Sequence, residues 1–444
     1  MSKITMVGAG SYVFTRNLSR DFLTFPALAD GEIMLYDLNE ERLAQAKNTV
    51  DAVAAKLGAR TKINATTDAK TAFVGADAVT CSIAVSPRET GRQVQEYLYE
   101  NKVDFCNGDT LGIPAIFLYL KTIPAMMGII RDIEEYCPNA WFLNYTNPMS
   151  MLCRTMQELS PVRSVGLCHS VQGAAQMLAR WLNVPYDEIT YQCAGINHQA
   201  WVLEFKHNGV DAYPHLREII SGNEEVYLEE VYRNEMYLHL GWYVTEGSGH
   251  NSCYNPWFRK RPELIEKYGD RATGGDPGRS FTHSRARWAS RDAMREAAFA
   301  NWADDPKNLI RGTEYAAGII NATIGDGAPF RFHGNVPNNG LIQNLPYGNC
   351  VEVPIYASKN MWSPVAVGSL PAHLAALNCA NSNFQEMVVQ GYLNEDPEMI
   401  LNACYFDQLT AAVLDLSEIK KVATDLFRMN VNYMPTFMAN AHKL

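Results

Sequence analysis

Two positions within residues 165–201 place metal-binding side chains where the backbone stops being regular. Cys168, followed at once by His169, comes after Arg163-Ser-Val-Gly-Leu, which reads as a short buried strand. His198 follows Ala194-Gly-Ile-Asn, another strand end. Thiolate and imidazole suit a divalent transition metal, and strand ends are where α/β proteins place chemistry. On residue types alone, a buried cysteine and a hydrogen-bonded core histidine are the stronger reading, because free cysteine is among the most buried residues. The context has to come from the elements that would position the two side chains.

Those elements begin with Lys3-Ile-Thr-Met-Val, a compact apolar strand running straight into Gly8-Ala-Gly10-Ser11. This is the strand–glycine–helix opening of a dinucleotide-binding unit. Gly8 permits the tight turn, and Gly10 lets backbone N–H groups approach a pyrophosphate. Val13 stands where a third glycine is usual. A second buried strand, residues 32–36, ends at Asp37, whose carboxylate would accept from a ribose and repel a 2′-phosphate, favouring NAD over NADP. A helix over 40–57 follows, then a strand over 62–66, a short helix over 68–73 and a buried strand over 78–84. Residues 113–136 read as a long helical region that Pro124 kinks or restarts, and residues 141–143 as a further strand. Strict alternation predicts a doubly wound parallel sheet over residues 1–195. Asn147-Pro148 ends its last strand, presenting Asn147 at the carboxyl rim or in an Asx-turn capping the next helix.

From about residue 196 the alternation fades. Residues 199–205, 330–336 and 350–356 read as strands, His207-Asn-Gly209 as a hairpin turn, and 225–240 and 292–302 as helices. Residues 269–280 read as a mobile loop, and helices start at Ala372 and at Pro397, the latter capped by Asp396. Residues 196–444 are therefore expected to form an α+β lobe that completes a site in the cleft. Tyr232, Tyr237, Trp242 and Tyr243 serve as core, an interface or a sugar platform.

The totals limit the function. At 444 residues with 47% hydrophobic and 19% charged content, the chain can bury a sizeable core. Its longest apolar run, 111–130, is interrupted by Pro114, Lys121 and Pro124, arguing against a membrane span. A strand that starts at residue 3 leaves no room for a signal peptide, and ten unevenly spaced cysteines point to reduced thiols in the cytoplasm. A net charge of −10 argues against nucleic-acid or anionic-membrane partners.

With these segments in place, the chain resembles glycoside hydrolase family 4, the NAD- and divalent-metal-dependent glycosidases. The resemblance rests on Gly8-Ala-Gly-Ser-Tyr-Val-Phe14, Asp109-Thr-Leu-Gly112, Leu143-Asn-Tyr-Thr-Asn-Pro148, Gly166-Leu-Cys-His-Ser-Val171, Ala194-Gly-Ile-Asn-His198, the run from Gly334 to Pro346, and Val367-Gly-Ser-Leu-Pro371. Cys168-His-Ser-Val171 is similar to the α-galactosidase branch. The chain departs from the family pattern at Pro114-Ala115, Leu118, Lys121, Gly249, Cys253 and after Asp407.

The resemblance implies a lactate/malate dehydrogenase-like architecture, with NAD held by Gly8, Gly10, Ser11, Phe14, Asp37 and Asn147. It implies Cys168 and His198 as ligands of Mn²⁺ or another divalent metal. A small saccharide would be the substrate, oriented by Asn147 and His169, and the assembly a homodimer or homotetramer. The mechanism implied is retaining: hydride leaves sugar C3 for NAD⁺, a base takes the C2 proton, the leaving group departs, water adds, and the hydride returns. Tyr254, then His250, are the candidate bases. Asp109 is an acid near the scissile oxygen or a helix N-cap. An α-glucoside or α-uronide is the alternative to an α-galactoside. A plain NAD-dependent hydroxyacid dehydrogenase and an inactive NAD sensor are the alternatives from other classes.

Overall fold

The computed structural model describes residues 2–11, 13–85, 88–274, 278–297 and 302–444. Six parallel strands form its first half: β1 (Lys3–Val7), β2 (Glu32–Tyr36), β3 (Lys62–Thr66), β4 (Ala78–Cys81), β5 (Trp141–Asn144) and β6 (Ser164–Gly166). They lie in the order β3-β2-β1-β4-β5-β6, so the expected Rossmann-type doubly wound sheet is present. The rest of the chain adds β7 (Ile189–Ile196), β8 (Gln199–His207), β9 (Val210–Asp211), β10 (Tyr243–Val244), β11 (Phe330–Pro337), β12 (Cys350–Ser358) and β13 (Met361–Pro364). The two halves join without a gap: β11 pairs antiparallel with β6 through Asn335 and Gly166, and the sheet continues through β12, β7, β8 and β10. The sheet thus runs across residue 195, the expected division between lobes.

Local chemistry sets the elements. Helix Glu40–Leu57 starts at Asn39, whose side chain accepts from the Arg42 N–H, and stops at Gly58 in the left-handed region. Asp68 caps helix Ala69–Phe73, and Asp396 caps helix Pro397–Cys404 as expected. Asn208 and Gly209, both at positive φ, turn β8 into β9.

Helix Ile113–Tyr136 is continuous through Pro124; a kink or restart was expected there. It is long and apolar enough to cross a bilayer, yet most of it is packed inside the fold as the central helix of the larger core. Residues 225–240 form two helices, Glu224–Glu229 and Val231–Leu240, because Glu230 leaves helical geometry. Helix Trp288–Ala297 starts four residues earlier than expected, and residues 298–301 of that expectation lie outside the described residues, as do 275–277 of the expected loop. Tyr232, Tyr237 and Tyr243 are buried, so these rings are core rather than a sugar platform; half-buried Trp242 packs on His373.

Candidate metal and nucleotide site

The carboxyl ends of the parallel strands carry the nucleotide-binding features. Gly8 takes φ +77°, and a Cβ there would lie 2.4 Å from the Ser82 carbonyl oxygen, so the β1 turn needs glycine. The Ser11 N–H closes the turn on the Gly8 carbonyl. Asp37, at the end of β2, accepts from the Gly10 N–H at 2.8 Å and from the Asn39 N–H at 2.8 Å. A Cβ on Gly10 would sit 2.9 Å from that carboxylate. Helix Phe14–Leu23 begins without a side-chain cap, and the Thr15 N–H bonds back to the Ser11 carbonyl. Phe14 packs 4.9 Å from the Tyr145 ring.

Cys168 follows β6 at this rim, and the second half brings His198 and Glu246 beside it as further candidate metal ligands. Ile196 pairs with Gln199, so Asn197 and His198 form the two-residue tip of the β7–β8 hairpin, and His198 adopts φ +64°. Left-handed backbone is costly for a side chain with a Cβ, and such strain gathers at functional sites. β10 pairs with β8 through Val244 and Trp201, which carries Glu246 up to the hairpin tip. His198 Nε2 lies 3.3 Å from Glu246 Oε2, and Cys168 Sγ lies 3.9 Å from the same oxygen. One ligand atom from each of Cys168, His198 and Glu246 falls within 4.8 Å of the others. Sequence reasoning named Cys168 and His198 as ligands and missed Glu246. Its signal was faint: a carboxylate four residues before His250 on a short helical segment.

The electrostatics suit a cation. Burial pushes the His198 imidazole down, toward its neutral, ligating form. Burial also pushes the Glu246 carboxyl up, but His198 and His250 outweigh it and bring it down to about 2. Burial, Glu246 and Glu352 push the Cys168 thiol well up. Glu352, on β12, is fully buried; burial and the like charge of Glu246 raise it to about 8, against a smaller lowering interaction with the Asn197 side chain. His198 Nδ1 and Asn147 Oδ1 are buried without partners. A soft thiol, an imidazole and an ionised carboxylate, with a protonated Glu352 behind them that a cation would help to ionise, fit a Mn²⁺-type ion.

A second cluster adjoins the first. Asp109 Oδ1 accepts from the Tyr254 hydroxyl at 3.2 Å and lies 3.2 Å from His250 Nε2, while Asn147 Nδ2 donates to Oδ2 at 3.2 Å. His250 Nδ1 lies 3.6 Å from Glu246 Oε1, so His250 bridges the two clusters. His250 and Tyr254 share one face of helix Ser248–Tyr254 at the i, i+4 spacing. Cys253, on the same helix, sits 3.5 Å from Cys106.

Three expectations change here. Asp109 is no helix cap: helix Ile113–Tyr136 starts after Gly112 without a side-chain cap. Nor is it poised as an acid. Burial raises its carboxyl, but His250, His198 and Tyr254 together hold it well below the usual range, as an acceptor. Asn147 caps nothing either, because Pro148 precedes the helix and Asn144 makes the local turn with the Thr146 N–H. His169 is largely exposed and points to Glu314, its Nδ1 3.9 Å from that carboxylate.

A dinucleotide-type sheet with a thiol–imidazole–carboxylate centre at its rim defines an NAD- and metal-using enzyme. The family 4 glycosyl hydrolase profile matches residues 3–184, and that of the family 4 glycosyl hydrolase C-terminal domain matches residues 193–410. The chain belongs to glycoside hydrolase family 4, and it is a glycoside hydrolase. It is 36% identical to an α-galactosidase of Bacillus subtilis, over 98% of this chain and 100% of that one. It is 32% identical to an α-galactosidase of Rhizobium meliloti, over 98% and 89%. The 6-phospho-β-glucosidase of Thermotoga maritima, solved with manganese, NAD⁺ and glucose-6-phosphate, superposes with a TM-score of 0.77 at 17% identity, covering 97% of this chain and 99% of that one. NAD and a divalent metal are the cofactors of the family, and this chain's residues fit both.

Proposed function

We propose that the chain hydrolyses α-galactosides with retention of configuration. Residues 1–195 hold NAD⁺ and residues 196–444 complete the sugar and metal site. The observation that carries this reading is the convergence of Cys168, His198 and Glu246 beside the Asp109–His250–Tyr254 cluster. The α-galactosidase relatives supply the sugar. When bound, NAD⁺ takes and returns a hydride, and the metal on Cys168, His198 and Glu246 acts as a Lewis acid toward sugar oxygens.

The chain's own residues do the rest. Asn147, tied to Asp109 through Nδ2, keeps its buried Oδ1 without a protein partner and orients sugar hydroxyls. Tyr254 Oη is the base at sugar C2. Burial, Asp109 and Glu246 keep the phenol protonated at rest, so it becomes a base when added positive charge offsets those two anions. His250 Nε2 is the second group able to hold a proton there. Asp109 stays ionised and orients both.

The test is release of nitrophenol from a panel of α- and β-glycosides, with NAD⁺, Mn²⁺ and reductant each omitted in turn. Release from the α-galactoside that stops without NAD⁺ or metal supports the reading. Turnover confined to an α-glucoside or α-galacturonide moves the substrate and keeps the mechanism. No release from any glycoside rejects it.

A further inference from the structure

Cys106 and Cys253 meet beside the reacting cluster, 147 residues apart in the chain and with their sulfurs 3.5 Å apart. Cys106 lies on the segment that leads into Asn107 and Asp109; Cys253 lies on helix Ser248–Tyr254, between His250 and Tyr254. The two segments are the two halves of that cluster. Asp109 Oδ1 accepts from the Tyr254 hydroxyl and faces His250 Nε2, and Asn107 Nδ2 lies 3.3 Å from His250 Nδ1. A bond between the two sulfurs is therefore a bond across the cluster.

The pair differs from the core cysteines. Burial pushes the thiols of Cys81, Cys193 and Cys404 up, which leaves them inert. Burial acts on Cys253 as well, but the Cys106 side chain, the buried Arg259 guanidinium and the Asn107 N–H outweigh it and bring the thiol down, toward the thiolate. Asp104 holds Arg259 in place at 2.6 Å. The Cys106 thiol donates to the Gly249 carbonyl at 3.3 Å. Cys106 is half-buried, and the next two residues, Asn107 and Gly108, line a cavity of about 320 Å³, so a small oxidant can reach it.

We propose that Cys106 and Cys253 are a redox modification site: a peroxide joins them as a disulfide, which pulls helix Ser248–Tyr254 off the reacting cluster until a dithiol reductant releases it. The Cys106 sulfur attacks a peroxide oxygen, the O–O bond breaks, and a sulfenic acid and water form. The Cys253 sulfur then attacks the sulfenic sulfur, the S–O bond breaks, and a second water leaves. The two thiols lose two electrons and two protons, and the peroxide is reduced to two waters. A dithiol reverses this by exchange, becoming a disulfide itself. Bonding brings the sulfurs from 3.5 Å to about 2 Å. The Cys106 side is anchored, because Phe105 is fully buried against Gly112, where a Cβ would lie 2.7 Å from its ring. The short helix yields instead, and loses the Cys106 donor to Gly249 as it moves. Tyr254 moves with its neighbour Cys253, and a shift of about 1 Å at a reacting group costs a large factor in rate. The effect on turnover rests on the glycosidase reading; the disulfide does not.

The experiment takes the enzyme loaded with NAD⁺ and Mn²⁺, removes reductant and adds hydrogen peroxide in steps. Remaining thiols are alkylated, and peptides are mapped by mass spectrometry without reduction. A cross-linked Cys106–Cys253 peptide should accumulate in step with a loss of glycoside turnover of more than about tenfold, and dithiothreitol should reverse both. Mn²⁺ should stay bound, which separates this pair from oxidation of Cys168. Cys106→Ser and Cys253→Ser should each keep most of the reduced enzyme's activity and withstand the dose that inactivates the parent chain. Thermal melting checks that these variants fold, and the mapping of the parent chain does not need them. Finding both cysteines alkylated after inactivation overturns the site. A cross-link that leaves turnover unchanged, or a Cys106→Ser enzyme inactivated as fast as the parent, overturns its control of the reaction. If no glycoside is cleaved, the glycosidase reading fails separately. The mapping then still decides the disulfide, and amide hydrogen exchange over residues 248–254, faster in the oxidised protein, decides the movement of the helix.

Discussion

At the scale of single residues, His198 shows a site placed against the preference of its own backbone. A histidine at φ +64° costs roughly 1 kcal/mol or more relative to a residue that tolerates the left-handed region. His198→Asn should therefore keep or slightly raise stability in urea while abolishing measurable Mn²⁺ binding by titration calorimetry. A loss of stability with metal binding intact would count against His198 as a ligand. Glu352 carries a pH signature of opposite origin. Its folded pKa, about 8, lies above the ordinary carboxyl value, so the folded chain holds a proton that the unfolded chain releases. Stability from this group is complete below about pH 4.5 and falls as pH rises through 8. In the metal-free protein, Glu352→Gln should thus gain on the parent chain by roughly 2 kcal/mol or more at pH 8, and little near pH 5, by urea denaturation.

At the scale of elements, short segments carry most of the chemistry. The seven-residue helix Ser248–Tyr254 is too short to persist alone, and its position comes from its ends. Asn251 Nδ2 donates to the Glu246 carbonyl at its start; at its close, Gln199 donates to Asn255, and Asn381 donates to the Tyr254 carbonyl. Losing that support should mimic losing His250 and Tyr254 themselves. Asn381→Leu is expected to lower kcat with less effect on NAD⁺ affinity, which steady-state kinetics and fluorescence titration separate. The β1 turn is the reverse case, rigid and local. Gly10→Ala forces a methyl group against Asp37, so the carboxylate that would hold the ribose must move. NAD⁺ affinity should fall by roughly tenfold, a cost of about 1.4 kcal/mol, with the melting temperature little changed.

At the scale of the whole molecule, one continuous sheet binds the nucleotide half to the catalytic half. The β6–β11 and β12–β7 junctions are single ladder pairs, Asn335 with Gly166 and Glu352 with Gly195, two and three residues before the candidate ligands Cys168 and His198. Gly195 faces Ala200 so closely that a Cβ would come within 2.7 Å of its Cα. Gly195→Val should destabilise the fold by roughly 1–3 kcal/mol in urea and loosen the hairpin tip, weakening Mn²⁺ binding as well. The assembled site also makes a kinetic prediction that separates it from a dehydrogenase. On the proposed mechanism the hydride is taken and returned at one sugar carbon, so glycoside turnover should proceed without steady accumulation of NADH absorbance.

Local chemistry written along the chain determined much of this protein. The β1 turn, Asp37, the Asn39 and Asp396 caps, and the strand–helix alternation each depend on neighbours a few residues away, and so did the Cys168 and His198 strand ends. Family-specific motifs then pointed to those two side chains as one candidate metal site. Tertiary structure alone decided the partners that come from far along the chain. Glu246 becomes a candidate ligand because β10 pairs with β8, and Asp109 becomes an ionised hub because Asn147, His250 and Tyr254 meet over it. The break at Glu230 and the unbroken helix through Pro124 were also settled by packing, which overrides weak local preference. The charge state of a buried carboxylate depends on what surrounds it in space, and sequence spacing does not encode that distance.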